Sequence, residues 1–155
     1  MGGKSAHFLS LQKSIYKMTS QEKRERTNLS SEYFVMSALY RHGLNPSLTL
    51  GNKKSVDILL QKRNVIRTID VKGLRSKTAW LLGNKFESYF RNHFLILITY
   101  LNNFDNTTAT PECWIIPALQ LKQFAKPTKK GLVINYADLK KHTKKYHERW
   151  DLLGK

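Results

Sequence analysis

Apolar positions along the chain follow two different periods, and these divide it into predicted elements. From Asn28 to His42, Leu29, Tyr33, Met36 and Tyr40 fall at spacings of 4, 3 and 4, which predicts a helix burying that stripe, with Ser30 or Ser31 at its start and Gly43 as its stop. Asn45-Pro46 breaks the pattern, and SLTL from Ser47 followed by Gly51-Asn52-Lys53-Lys54 reads as a short strand and a turn. Val56 to Leu60 and Val65 to Val71, rich in Val and Ile, predict two strands joined as a hairpin across the polar connection Gln61 to Asn64. HFLILITYL from His93 to Leu101 is apolar almost throughout, as expected of a central strand buried on both faces, and CWII from Cys113 predicts another strand ending near Pro117.

After these come a short helix over 118–124, a basic loop over 126–131 and a last strand over 132–136. Asp138 is expected to cap a closing helix in which Leu139, Thr143, Tyr146, Trp150 and Leu153 form the buried stripe, while Lys140, Lys141, Lys144 and Lys145 lie off it. Residues 1–27 show no sustained period after Phe8, Leu9 and Leu11. They read as a flexible leader, a tag or a targeting segment, which leaves 28–155 as one domain with a basic amphipathic end.

Charge adds to this picture. The 155 residues contain 27 Lys and Arg against 11 Asp and Glu, a formal +16, and polyanions respond to such a field. Nucleic acid is the expected partner; no apolar run reaches the ~18 residues of a membrane helix. A single cysteine, Cys113, excludes an internal disulfide and a cysteine-based zinc site, and fits an intracellular setting. Between the predicted strands, Arg75, Lys77 and Lys85 stand among Trp80, Phe86, Tyr89 and Phe90, a mixture suited to a nucleic-acid groove, although Trp80 and Phe90 taken singly read better as core. Lys129, Lys130, Lys140 and Lys144 extend the candidate basic surface.

In so basic a chain, an aspartate set among Val, Ile and Leu on a strand needs a reason, and Asp57 and Asp70 are both so placed. If the hairpin connection has an even number of residues, Asp57, Asp70 and Lys72 share one sheet face; an odd connection turns Asp57 away. Two carboxylates crowded on a half-buried face repel each other and lose hydration, costs that a divalent cation offsets, and hard oxygen donors favour Mg²⁺ or Mn²⁺ over zinc. Lys72 would then stand beside the cation, where an ammonium can steady charge developing on a phosphate. Glu32 borders the stripe of the first helix and would join the cluster if that helix packs across the same face; a capping role is the alternative.

An N-terminal helix carrying a glutamate, then SVDI, a hairpin and IDVKG, resembles the PD-(D/E)XK nuclease superfamily, the restriction-endonuclease-like fold that includes Holliday junction resolvases. The resemblance runs from Asn28 to about Leu121 and implies an α/β domain with a central mixed sheet of four to five strands flanked by helices, one of them between the third and fourth strands. It implies a Mg²⁺- or Mn²⁺-dependent DNA endonuclease, a possible homodimer, in which Asp57, Asp70 and the main-chain carbonyl of Val71 are metal ligands. Lys72 is then the catalytic cation, and Glu32 a further ligand, directly or through water. Val56 occupies the place of the proline for which the family is named. The competing readings are a nucleic-acid-binding protein of the same fold without catalysis, and an RNA-directed protein whose rings stack on single-stranded bases.

Overall fold

A computed structural model describes residues 18–49, 56–83 and 91–154. Its first helix, α1 (Ser20–Arg41), starts earlier than the apolar period suggested. The Thr19 hydroxyl accepts the Glu22 N–H at 3.2 Å while the Glu22 carboxylate accepts the Thr19 N–H at 2.7 Å, a reciprocal cap that satisfies two otherwise orphaned donors. The expected stripe is also displaced: Leu29, Tyr33 and Tyr40 are exposed, and the helix buries Thr27, Ser31, Glu32, Val35 and Leu39 instead. Small side chains on this face let the backbones approach. A Cβ on Gly73 would meet Ser31 Oγ and sit 2.8 Å from the Thr27 carbonyl, so only glycine fits there. Both hydroxyls are satisfied within the helix, Ser31 Oγ donating to the Thr27 carbonyl and Thr27 Oγ1 to the Lys23 carbonyl, each at 2.7 Å.

The strands are β1 (Pro46–Leu48), β2 (Ile58–Lys62), β3 (Val65–Leu74), β4 (Ala79–Gly83), β5 (His93–Thr99), β6 (Glu112–Pro117), β7 (Lys126–Thr128) and β8 (Gly131–Asn135). Five of them form a mixed sheet in the order β1-β2-β3-β5-β6, parallel only between β3 and β5. This is the mixed α/β architecture expected, and β5 is buried along its whole length.

Each face of the sheet has its own core. Val35 and Leu39 of α1 pack with Ile58, Leu60, Ile69, Val71, Ile96 and Ile98 on one side. Leu95, Leu97, Trp114 and Ile116 pack with Trp80, Ile134, Leu139 and Tyr146 on the other. That second core is closed by a three-stranded sheet, β4-β8-β7, where a basic loop was expected over 126–131. Pro127 is tolerated because β7 is an edge strand. The described residues between β3 and β5 carry strand β4 rather than the start of a helix; residues 84–90, including Lys85, lie outside the described residues.

The closing segment departs from a single helix. Helix α2 (Tyr136–His142) starts after Asn135, not at Asp138, and is followed by 3₁₀ turns at Lys144–Tyr146 and Trp150–Leu153. The five stripe residues are nevertheless all buried. Leu139 and Tyr146 enter one core and Trp150 and Leu153 the other, so the chain must bend around the sheet, which a straight helix cannot do.

Candidate active site

The hairpin connection is shorter than the sequence suggested. Gln61 and Lys62 belong to β2, Lys62 pairs with Val65, and the turn consists of Arg63 and Asn64 alone. An even connection is the case that places Asp57 with Asp70. The ladder continues in register to Ile58 opposite Ile69, and Asp57 lies one residue beyond it, its N–H donating to the Ile69 carbonyl at 3.0 Å.

At that point β2 stops covering β3, and the Asp57 side chain takes over. One carboxylate oxygen, Oδ2, accepts the Val71 N–H at 2.7 Å, filling the place of a strand carbonyl. In a strand the N–H and C=O of one residue point to the same neighbour. Ile69 and Val71 therefore direct their backbone groups toward β2, while Thr68 and Leu74 bond toward β5. The Val71 carbonyl thus lies on the Asp57 side of β3.

Asp57 and Asp70 are 9% and 7% exposed, Glu32 is 7% exposed, and Lys72 is half-buried. Alternation along β3 puts Ile69, Val71 and Gly73 on the α1 side, and Thr68, Asp70 and Lys72 on the other. Helix α1 therefore does not cross the face of Asp70 and Lys72, and the condition set for Glu32 is not met in that form. Glu32 is buried on the Val71 side, next in sequence to the Ser31 that abuts Gly73.

Beneath Asp70 lies His93, the first residue of β5. It is buried, with Nδ1 2.8 Å from Thr68 Oγ1 and Nε2 3.7 Å from Asp70 Oδ2. Nothing in the apolar pattern singled it out, because it was absorbed into the start of a hydrophobic strand.

The basic residues divide into groups. Arg75 lines a cleft of about 440 Å³ with Lys72 and with Lys23 and Arg24 of α1. Lys77 is exposed in the β3–β4 connection, Lys129 and Lys130 at the β7–β8 turn, and Lys144 on the closing segment. Lys140 is already engaged: it reaches Glu112 Oε1 at 3.0 Å and the Tyr136 hydroxyl at 3.1 Å. Those contacts raise the Lys140 pKa; burial pushes Glu112 upward, but hydrogen bonds from Lys140 and Tyr136 outweigh it and hold the carboxyl below its usual range. Cys113 is buried in the sheet, and desolvation drives its thiol pKa far up, so it is inert as a nucleophile. Lys23 and Arg24 were missed because they fell in the presumed leader; the Thr19-x-x-Glu22 cap was the signal that would have placed them on a helix.

No family model and no curated protein matches the chain. Among solved structures, it is similar to a bacterial homing endonuclease, I-Ssp6803I, at 11% identity and a TM-score of 0.53, over 89% of this chain and 94% of that one. The two share a fold. Within this chain, Asp57, Asp70 and Lys72 lie at the open end of the β2–β3 hairpin and Arg75 lines the cleft beside Lys72, whereas Lys77, Lys129, Lys130, Lys140 and Lys144 are spread over other surfaces.

Proposed function

We propose that this chain is a divalent-metal-dependent DNA endonuclease of the PD-(D/E)XK type. The observation that carries the reading is the Asp57 carboxylate on the Val71 N–H: it brings the first acidic residue to the Asp70-Val71-Lys72 segment at the place where β2 ends. The formal +16 charge and the fold shared with a homing endonuclease support the same reading.

The donor set suits a hard cation. Among the described residues no group of three or more His, Cys, Asp and Glu side chains is arranged to hold a metal. Mg²⁺, however, keeps several waters and is commonly held by one or two carboxylates, and Asp57, Asp70 and the Val71 carbonyl would be the donors offered to it here. Glu32 is the further candidate, through water. A bound Mg²⁺ or Mn²⁺ supplies a polarised phosphate oxygen and a water of lowered pKa. The protein's own part would be to hold the two aspartates in place, with Lys72, two residues beyond Asp70 on the same strand face, to stabilise the charge gained by the phosphate.

The purified protein, given Mg²⁺ or Mn²⁺, is expected to cut duplex, branched or single-stranded DNA, and Asp70→Ala is expected not to. Uncut DNA in every case, or equal cutting by Asp70→Ala, overturns the proposal. The second reading is a non-catalytic DNA-binding role, for which the formal +16 charge suffices without a metal. It predicts salt-dependent affinity indifferent to EDTA and to Asp57→Ala. Neutralising about six phosphates gives a log–log salt slope of roughly −5 in either case.

A further inference from the structure

The strongest unassigned feature is the cleft beside Lys72, floored by the end of β3 and walled by α1 and β4. Four cations line it: Lys23, Arg24, Lys72 and Arg75; among the described residues that line it, none is acidic. Lys23 and Arg24 are exposed on the first turns of α1, and exposed Leu81 forms part of the opposite wall.

Arg75 is fixed in place. Its Nε donates to Thr27 Oγ1 at 3.0 Å, and its guanidinium lies over the Phe104 ring, 3.7 Å from the centroid. Its Nη1 is 3.8 Å from Asp105, a carboxylate 86% exposed and so weakly held. A guanidinium set in orientation by a hydrogen bond and a ring loses little freedom on binding an anion, and its flat fork matches a phosphate. The Thr27 that orients it belongs to the same stretch of α1 that packs on Gly73, so the cleft wall and the strand bearing Lys72 are held as one unit.

We infer that this cleft binds the phosphodiester backbone of the DNA strand next to the phosphate that Lys72 serves, with Lys23, Arg24 and Arg75 as the phosphate ligands and Leu81 against the sugars. This rests on the nuclease reading for the role of Lys72, but the binding it describes is measurable without cleavage.

The test is equilibrium binding of a labelled duplex by the full chain in EDTA across a salt series, with single-stranded DNA and RNA of equal length as further arms. Lys23→Ala/Arg24→Ala is compared with Lys122→Ala/Lys141→Ala, which removes the same charge from exposed sites away from the cleft. The cleft pair is expected to weaken binding roughly tenfold or more and to lower the salt slope by about 2; the distant pair is expected to change affinity less than threefold. Arg75→Lys, which keeps the charge and loses the fork, is expected to weaken binding several-fold with the slope unchanged. Equal losses from the two pairs would show a general basic field and overturn the cleft, as would no loss from either; tighter binding of the RNA arm would overturn DNA as its ligand. Cleavage by the wild type in Mn²⁺ is scored separately: cutting with an unaffected cleft pair refutes the cleft alone, and a cleft effect without cutting refutes the nuclease reading alone.

Discussion

The β2–β3 hairpin has two ends, and their side chains reverse the ordinary rule of burial. At the turn, Val65 and Ile66 are exposed, Ile66 by 58%, with Leu59 farther along β2 exposed as well. At the open end Asp57 and Asp70 are buried, in a chain with only 11 acidic residues. A lone exposed isoleucine costs little and needs no explanation, whereas buried carboxylates carry a desolvation cost that something must offset. The contrast separates a part of the hairpin that only completes the fold from the part to which the proposed chemistry is assigned.

The largest expected effect separates charge from hydrogen bonding at the open end. Asp57→Asn retains an oxygen that can accept the Val71 N–H and removes the negative charge. Its DNA cleavage in Mg²⁺ is expected to fall by about 10²–10³-fold, the scale seen when a transition-state electrostatic partner is lost, with little change in the urea midpoint. Asp57→Ala is expected to lose the same activity and, in addition, about 1–3 kcal/mol of stability, because the Val71 N–H is left without its acceptor. If Asp57→Asn cuts DNA normally, Asp57 is a structural cap and the contrast between the two ends loses its catalytic meaning.

Next comes the packing that holds the open end. Gly73→Ala would drive a Cβ against the Thr27 carbonyl, 2.8 Å away, and against Ser31 Oγ. Because the first of these is helix backbone, the conflict is relieved only by moving α1 off β3. A loss of about 1–3 kcal/mol is expected from urea unfolding, together with weaker DNA binding, because Lys23 and Arg24 move with the helix. Unchanged stability would mean that α1 is free to shift, and that the cleft wall is not fixed to the strand bearing Lys72.

How much of this was legible in the sequence follows from which signals are local. The strands of the five-stranded sheet were, because their apolar runs, such as HFLILIT, are long and local, and the shared face of Asp57 and Asp70 was legible only on the condition of an even connection, which the Arg63-Asn64 turn meets. The face of α1 was not. Leu29, Tyr33, Met36 and Tyr40 make the more apolar stripe, yet the helix turns Thr27 and Ser31 inward because β3 approaches closely at Gly73, a tertiary requirement that a single helix does not reveal. The bent closing segment was hidden for a related reason: its apolar period is helical, but its residues serve two cores on opposite faces. The second sheet was hidden because β7 is three residues long and exposed throughout.

At the turn end, Arg63 has φ +54, a left-handed conformation that costs a side-chain-bearing residue about 1–2 kcal/mol. Arg63→Gly relieves that strain while adding some unfolded-state entropy. A net gain of about 0.5–1 kcal/mol in urea unfolding is expected, with cleavage unchanged. A drop in DNA binding would instead assign the turn a phosphate contact and blur the distinction between the ends.

The smallest effect is expected at Ile66, where a near-null result is the informative one. Ile66→Thr keeps the β-branched shape that suits a strand and removes apolar surface that is already in contact with water. Both unfolding free energy, within about 0.5 kcal/mol, and cleavage are expected to stay at the wild-type value. A loss near 2 kcal/mol that depends on protein concentration would show Ile66 buried against a second copy of the chain. The turn end would then be an interface, and the hairpin would have a function at both ends.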